Sequence, residues 1–312
     1  MELYKSVWGA MMRKILKKIF PIICFRLDKL MRVKKYNRYK NSSLEEKREI
    51  LKIEYYKNMG KELQIDNPKR YTEKIQWLKL YGVDQRMSNL SDKFAVREWI
   101  KSTIGEDYLL PLITIVNAYE EIKFDKLPNQ FVIKSNNSSG WNIIVKNKKK
   151  INHKLIRTKM DYWKNTNYAY YSTFEMQYET IMPVFLIEEL INDSNGELND
   201  YKFLCFDGNP VYCWVDTGRF SEHKRTFFDM NWEKQEWGQT YPLEDSIEKP
   251  KNFEKMITLA RKLSYGFKQV RVDLYNVDGK IYFGEMTFTN GNGFEKFIPD
   301  KYDEILGEMW TL

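Results

Sequence analysis

The sequence predicts an α+β protein, and three observations carry that prediction. Between residues 44 and 105 apolar side chains fall at helical spacing, in segments that begin at good caps or end at glycines. From residue 131 onward the texture changes to short β-branched and aromatic runs separated by turns. Helical patterns recur between those runs, so antiparallel hairpins alternate with helices rather than with parallel strands.

Taken in order, "LEEKREILKIEYYKNMGKEL" (44–63) reads as a helix stopped at Gly60. "NPKRYTEKIQWLKLYG" reads as a second, with Thr72 as N-cap and Gly82 as stop. "SDKFAVREWIKSTIG" reads as a third, capped by Ser91. "QFVIKSN" and "WNIIVKN" predict strands around the loop "SNNSSG". A helix follows over 153–164, then a strand in "PVFLIEELI". "DYKFLCFDGNPVYCWVD" predicts a hairpin turning at Asp207-Gly208, and "KRTFFDMNW" another strand. "NFEKMITLARKLSYG" is amphipathic, and "IPDKYDEILGEMW" predicts a closing helix. The expected organisation is a leader over 1–40, a helical region over 41–105 and an α+β body over 106–312.

Of the 312 residues, 43% are hydrophobic and 15% aromatic, enough for a packed core and contrary to disorder. The net charge of +8 is concentrated: residues 1–40 carry twelve Lys/Arg against Glu2 and Asp28, so the remainder is slightly acidic. The body is therefore not a nucleic-acid binder. The leader mixes Lys/Arg with Ile, Leu, Phe and Met, and its longest apolar run, Ile19–Phe25, is far short of the ~20 residues a spanning helix needs. No signal peptide is expected. A basic amphipathic segment of this kind either lies peripherally on the anionic inner face of a membrane or packs on the domain with its bases in water. Cys24, Cys205 and Cys213 form no CxxC pair and suit a reducing cytoplasm, with Cys205 and Cys213 in core strands.

The segment "VRVDLYNVDGKIYFGEMTF" (270–288) sets Arg271, Asp273 and Glu285 into otherwise apolar strands. With Val277-Asp278-Gly279 as a three-residue loop, Asn276 faces Lys280 and Arg271 faces Glu285. Alternation then points Arg271, Asp273, Phe283, Glu285 and Thr287 to one face, and Val270, Val272, Leu274, Met286 and Phe288 to the core. A two-residue turn would shift the register by one and send Asp273 and Glu285 to opposite faces. Two readings stand: two carboxylates converging on Mg²⁺, or an Arg271–Glu285 ion pair with Asp273 solvated. Lys134 at the end of an apolar strand, the small polar loop 135–140, Lys93 at a helix start, the acids of "EEL" (188–190) and the bases around His223 supply the rest of a possible anion site.

In this order the stretches "NPKRYTEKIQWLKLY", "DKFAVREW", "KFDKLPNQFVIKSNNSSGWNIIV", "DYKFLCFDGNPVYCWVDTGRFSEHKRTFFDMNW" and "VRVDLYNVDGKIYFGEMTF" resemble the ATP-grasp superfamily, within it the branch named for the teichuronopeptide biosynthesis protein TupA. The resemblance covers roughly residues 65–307. It implies an ATP-grasp fold, two α+β subdomains enclosing ATP, and a carboxylate–amine ligase using ATP and Mg²⁺. It implies Lys93 and Lys134 as nucleotide-binding lysines, with Ser135, Asn136, Ser138, Ser139 and Gly140 in the flap over the phosphates. Glu188, Glu189 and Leu190 fall at the adenine hinge and Asp200 at the ribose. Asp273 and Glu285 match the metal carboxylates. Arg271, Arg225 and Lys202 are expected at the reacting phosphoryl group, and Arg219, His223 and Thr287 at the substrate. The loop departs from the family pattern, with Ser135, Asn137 and Ser138 where Cys, His and Gly are usual. The branch implies a uronic-acid-type sugar of a surface polysaccharide as carboxylate and an amino acid or peptide as amine.

A glycosyltransferase of surface-glycan assembly is the rival enzyme, but the sequence contains no DxD metal motif. A nucleotide-binding protein with weakened catalysis is the other alternative. GxxxxGK[ST], HExxH and GxSxG are all absent.

Overall fold

The computed structural model describes Leu16 and residues 19–191, 198–218, 223–244 and 246–312. Helix α1 (Pro21–Lys40) begins with proline in its first turn, where a missing N–H costs nothing. Helix α2 (Leu44–Met59) opens on a capping box: Glu46 N–H donates to Ser43 Oγ, and Ser43 N–H donates back to the Glu46 carboxylate. It closes at Gly60, whose φ of +73° is left-handed, as the sequence predicts.

Two predicted caps are displaced. Helix α3 (Tyr71–Trp77) already contains Thr72, whose N–H and hydroxyl donate to buried Asp303 at 2.9 and 2.7 Å. The Glu73 carboxylate accepts the Lys69 and Arg70 N–H groups instead, so Thr72 ties the helix to the chain's end. A π turn, Leu78–Gly82, extends α3 to the predicted glycine. Ser91 ends the short helix α4 (Gln85–Ser91), which Asp84 caps. The next helix, α5 (Val96–Thr103), is preceded by a turn in which Asp92 accepts the N–H groups of Phe94 and Ala95. Thr72 and Ser91 carry the right chemistry for caps, but Asp303 takes the Thr72 N–H, and Asp92 takes those of Phe94 and Ala95.

Four strands form a first antiparallel sheet in the order β1 (Leu112–Val116), β4 (Phe185–Glu189), β2 (Phe131–Ser135), β3 (Asn142–Val145). Its inner residues Phe131, Ile133, Phe185 and Ile187 pack with Ile156, Met160 and Trp163 of helix α6 (His153–Lys164). The short helix α7 (Tyr168–Tyr171) follows. A second, five-stranded sheet runs β7 (Lys224–Asp229), β6 (Asn209–Thr217), β5 (Asp200–Phe206), β8 (Gln269–Val277), β9 (Lys280–Thr287). Helix α8 (Phe253–Ser264) covers it, with Phe253, Met256, Ala260 and Leu263 against Phe203, Cys205, Cys213 and Val272. The closing helix α9 (Lys301–Glu308) lies against α3.

The closing hairpin corrects the predicted register. Its turn has two residues, with Val277 paired to Lys280 and Asp278 and Gly279 both at positive φ. A two-residue turn alone would part the acids. A β-bulge restores the phase: Leu274 faces Phe283, Gly284 is the extra residue, and Asp273 faces Glu285. Glycine suits the bulge because a Cβ there would lie 3.0 Å from the Asp273 carbonyl oxygen. Arg271 therefore faces Thr287, not Glu285. Phe283, expected beside Arg271, pairs with Leu274 and is buried in the core.

Helix α1 rests on α6 and α7. Phe25 meets the edge of Tyr162 at 5.4 Å, and Tyr39 is buried against Phe174. No described helix is long and apolar enough to cross a membrane.

Candidate active site

Alternation fixes which side chains leave the cores. On the first sheet Ile133 and Ile187 point inward, so Lys134 and Glu188 point the other way, and the Lys134 ammonium lies 2.7 Å from the Glu188 carboxylate. Arg97 of α5 reaches Glu188 at 3.4 Å and donates to the Leu110 carbonyl. On the second sheet the cross-strand register builds rows of charge. Arg225 faces Asp216, which faces Asp200. One step along, Lys202 faces Asp273, which faces Glu285. Both sets line one cleft of about 380 Å³, within the roughly 300–1,000 Å³ of small-molecule sites.

On the second sheet all of these charges are paired and all but Glu285 are buried, and the pairing is what keeps them tolerable away from water. Arg271 grips Asp273 with two bonds, Nε to Oδ1 at 2.6 Å and Nη2 to Oδ2 at 2.7 Å. It also donates to Glu285 (3.1 Å), Thr287 (2.9 Å) and Asn290 (2.5 Å). Asp273 is only 2% exposed, so the reading in which it is solvated fails. Lys202 bonds Asp200 and lies 3.4 Å from both Asp216 and Asp273. Arg225 donates Nε–H to Asp216 at 2.7 Å and also bonds Gln239 and Glu295. The guanidiniums of Arg225 and Arg271 both lie over the Trp214 ring, 5.8 and 5.6 Å from its centre.

The electrostatics follow. Burial alone would raise the Asp216 carboxyl, but Lys202 and Arg225 outweigh it and hold it well below the usual range. Glu285 behaves likewise: burial is outweighed by Arg271, Lys93 and Lys202. Burial works against charge on Lys202, yet Asp200 and Asp273 raise it. Lys93 is lowered, chiefly by burial, with Glu285 acting in the opposite direction. Lys93 donates to the Ser138 carbonyl and so pins the 135–140 loop. The buried Ser138 Oγ has no hydrogen-bond partner among the described residues.

Most of the expected residues come together here: Lys93, Lys134, Ser139, Gly140, Glu188, Asp200, Lys202, His223, Arg225, Arg271, Asp273 and Glu285 all line the cleft. Ser135, Asn136 and Ser138 do not. Ser135 bonds Asn137, and Asn136 bonds Asp92, Met182 and Val184, so both shape the loop from beneath. Glu189 is exposed and its N–H goes to the Pro111 carbonyl; neither it nor Leu190 lines the cleft. Thr287 opens into a neighbouring cavity beside Glu285. Arg219 lies outside the described residues. Sequence reasoning missed Arg97, Asp216, Tyr241 and Glu295. Asp216 carried the signal that marked Lys134, a charge in an apolar strand; Tyr241, whose ring stacks on His223 at 3.8 Å, carried none.

Asp273 and Glu285 have the chemistry that suits Mg²⁺, although Arg271 here engages both Asp273 oxygens and one of Glu285. They present hard oxygen donors in register on adjacent strands. Among the described residues no group of three or more His, Cys, Asp or Glu is placed to hold a metal ion by itself. Mg²⁺ is commonly held by one or two carboxylates and completed by phosphate oxygens and water.

The family model for "TupA-like ATPgrasp" matches residues 73–311. No curated protein matches the sequence. Similar solved structures include D-alanine–D-alanine ligase from Bacillus anthracis complexed with ATP, at 19% identity over 64% of this chain and 55% of that one, TM-score 0.36. L-amino acid ligase from Bacillus licheniformis is similar at 13% identity over 69% of this chain and 47% of that one, TM-score 0.40. The chain spans about half the length of these two solved structures.

Proposed function

The chain belongs to the TupA-like ATP-grasp family, and from that premise we propose that it is an ATP-dependent carboxylate–amine ligase. The carrying observation is that Asp273 and Glu285 of the second sheet converge in the same cleft as Lys134 of the first sheet and Lys93 of the turn before α5. In the reaction, a carboxylate oxygen of the substrate attacks the γ-phosphorus of ATP and the bond to ADP breaks. An amine then attacks the acyl carbon, loses its proton, and phosphate leaves as the amide forms.

Phosphoryl transfer of this kind needs positioning and charge neutralisation more than a protein nucleophile. That need matches a cleft rich in Lys, Arg and acids and served by a single histidine, His223. Mg²⁺, held by Asp273 and Glu285, would supply Lewis-acid polarisation of phosphate oxygens. Lys134 of the first sheet and Lys93 of the turn before α5 neutralise the triphosphate. Arg271, already anchored by Asp273 and Asn290, points its Nη2 edge toward Glu285 and Thr287, where the transferred group would sit. Arg225 and His223, fixed on Asp216, flank the opposite end.

The carboxylate belongs to a uronic-acid-type sugar of surface polysaccharide, and the amine to an amino acid or short peptide. The test is ADP release with uronates crossed against amino acids. Release requiring both partners supports the reading; transfer from a sugar nucleotide without ATP overturns it.

Helix α1 supports peripheral membrane association. Ile23, Leu27, Leu30 and Met31 recur at helical spacing and are 53–72% exposed, beside Arg26 and Arg38. Such a stripe suits an anionic lipid surface. Replacing Ile23, Leu27 and Leu30 by Ser is expected to abolish sedimentation with phosphatidylserine vesicles; unchanged sedimentation overturns the docking.

A further inference from the structure

A second cavity of about 400 Å³ adjoins the cleft and shares Ser139, Arg271, Glu285 and Gly291 with it. Its far wall is built from Arg32 and Lys35 of α1, Tyr168 and Tyr171 of α7, and Tyr178. Helix α1 lies outside the matched residues 73–311, so the family pattern assigns it nothing. We propose that this cavity binds the carboxylate-bearing substrate, and that α1 is a wall of the substrate site whose Arg32 recognises an anionic, hydroxyl-rich ring.

Four features argue for it. The cavity opens where Arg271 and Glu285 stand, so a ligand there reaches the phosphoryl-transfer centre without crossing the nucleotide. Arg32 lies over the Tyr171 ring at 4.7 Å, a cation held by stacking with its donors still available for oxygen acceptors. Tyr168 and Tyr171, rings 5.8 Å apart, offer the flat surfaces against which the C–H faces of a sugar pack. Thr287, Ser172 and Asn292 add short polar groups, and Asn292 Oδ1 is buried with no hydrogen-bond partner among the described residues. Purely anionic recognition would not need tyrosines, and purely apolar recognition would not place two cations on the wall.

Two acids also face the cavity. Glu285 belongs to the reaction centre. Glu175 accepts a hydrogen bond from Thr289 at 2.5 Å, and burial pushes its carboxyl up toward the neutral form, which lessens repulsion of an anion. Lys35 is shared with Glu54 at 3.2 Å, which leaves Arg32 as the main cationic contact.

This inference rests on the ligase reading, and the experiment separates the two. Sodium D-glucuronate and D-glucose are titrated into the full-length protein, followed by intrinsic fluorescence, alongside ATP titration and glucuronate-dependent ADP release. Glucuronate is expected to bind and glucose to bind far more weakly. Arg32→Met is expected to weaken glucuronate binding about tenfold or more, the size of one lost charge-assisted contact, with ATP affinity unchanged. Lys34→Met makes the same charge change on α1 at a residue that does not line the cavity, and should leave both constants unchanged. Glucuronate binding lost in Arg32→Met but without ADP release from any amine supports the subsite and rejects the ligase. ADP release with Arg32→Met indistinguishable from wild type rejects the subsite and keeps the ligase. No glucuronate binding by wild type, or equal losses in Lys34→Met, overturns the assignment.

Discussion

Neutralising Glu285 should separate catalysis from stability, because its two environments differ so sharply from those of Asp273. The Glu285 side chain is one-third exposed (33%) and meets Arg271 through one bond of 3.1 Å. A partly exposed ion pair of that kind is worth ~0.2–1 kcal/mol after screening, so Glu285→Gln should unfold at nearly the wild-type urea midpoint. Glutamine can still accept the Arg271 hydrogen bond. Chemistry should respond differently. Losing one of two metal carboxylates removes part of a transition-state stabilisation of several kcal/mol. At about 1.4 kcal/mol per decade, that is a fall in ADP formation on the order of 10²-fold or more. Asp273→Asn is not an equivalent probe. Asp273 is buried and doubly gripped by Arg271, and breaking such a pair costs about 3–5 kcal/mol, so this variant should lose stability as well as activity. The assay is ADP release at saturating Mg²⁺ with urea unfolding of the same preparations. Near wild-type turnover in Glu285→Gln, or a large loss of its urea midpoint, would refute the reasoning.

Other expectations follow from the same geometry. Gly284→Val should crowd the Asp273 carbonyl, costing about 1–3 kcal/mol in chemical denaturation and lowering ADP release as the two acids lose register. Asp216 and Glu285 are held below their ordinary values of 3.8 and 4.5. The unfolded chain therefore takes up protons first, so their stabilisation is complete at neutral pH and is lost as pH falls below about 4.5; thermal unfolding from pH 7 to 3 should show a decline confined to the acid side. Ser43→Ala breaks the α2 capping box and should cost about 1 kcal/mol in urea unfolding without altering ATP affinity.

Much of this architecture was legible because its signals are local. Helices over 153–164 and 253–264 follow from apolar period, and the hairpin at Asp207-Gly208 from a dipeptide that tolerates positive φ twice. The closing hairpin shows where locality ends. Val277-Asp278-Gly279 satisfies a three-residue loop and a two-residue turn equally well. What restores the acids to one face is a bulge ten residues from Leu274 along the chain, set by close approach of two backbones at Gly284. The site was legible where a charge interrupts an apolar strand, as at Lys134, Asp273 and Glu285. It was not where a residue joins only through the fold: Arg97 reaches Glu188 from a helix, and Arg32 reaches the second cavity from the leader. Thr72 looks like a cap to any local rule, because nothing nearby in sequence announces Asp303; at Ser91 the next residue, Asp92, is an equally good cap and takes the N–H groups.

The measurement that bears most directly on the central claim is a crystal structure grown with a non-hydrolysable ATP analogue and Mn²⁺, with anomalous data at the manganese edge. A peak about 2.0–2.3 Å from carboxylate oxygens of both Asp273 and Glu285, and bridging to phosphate oxygens, is the predicted result. A nucleotide bound elsewhere, or a metal peak that touches neither side chain, would contradict it.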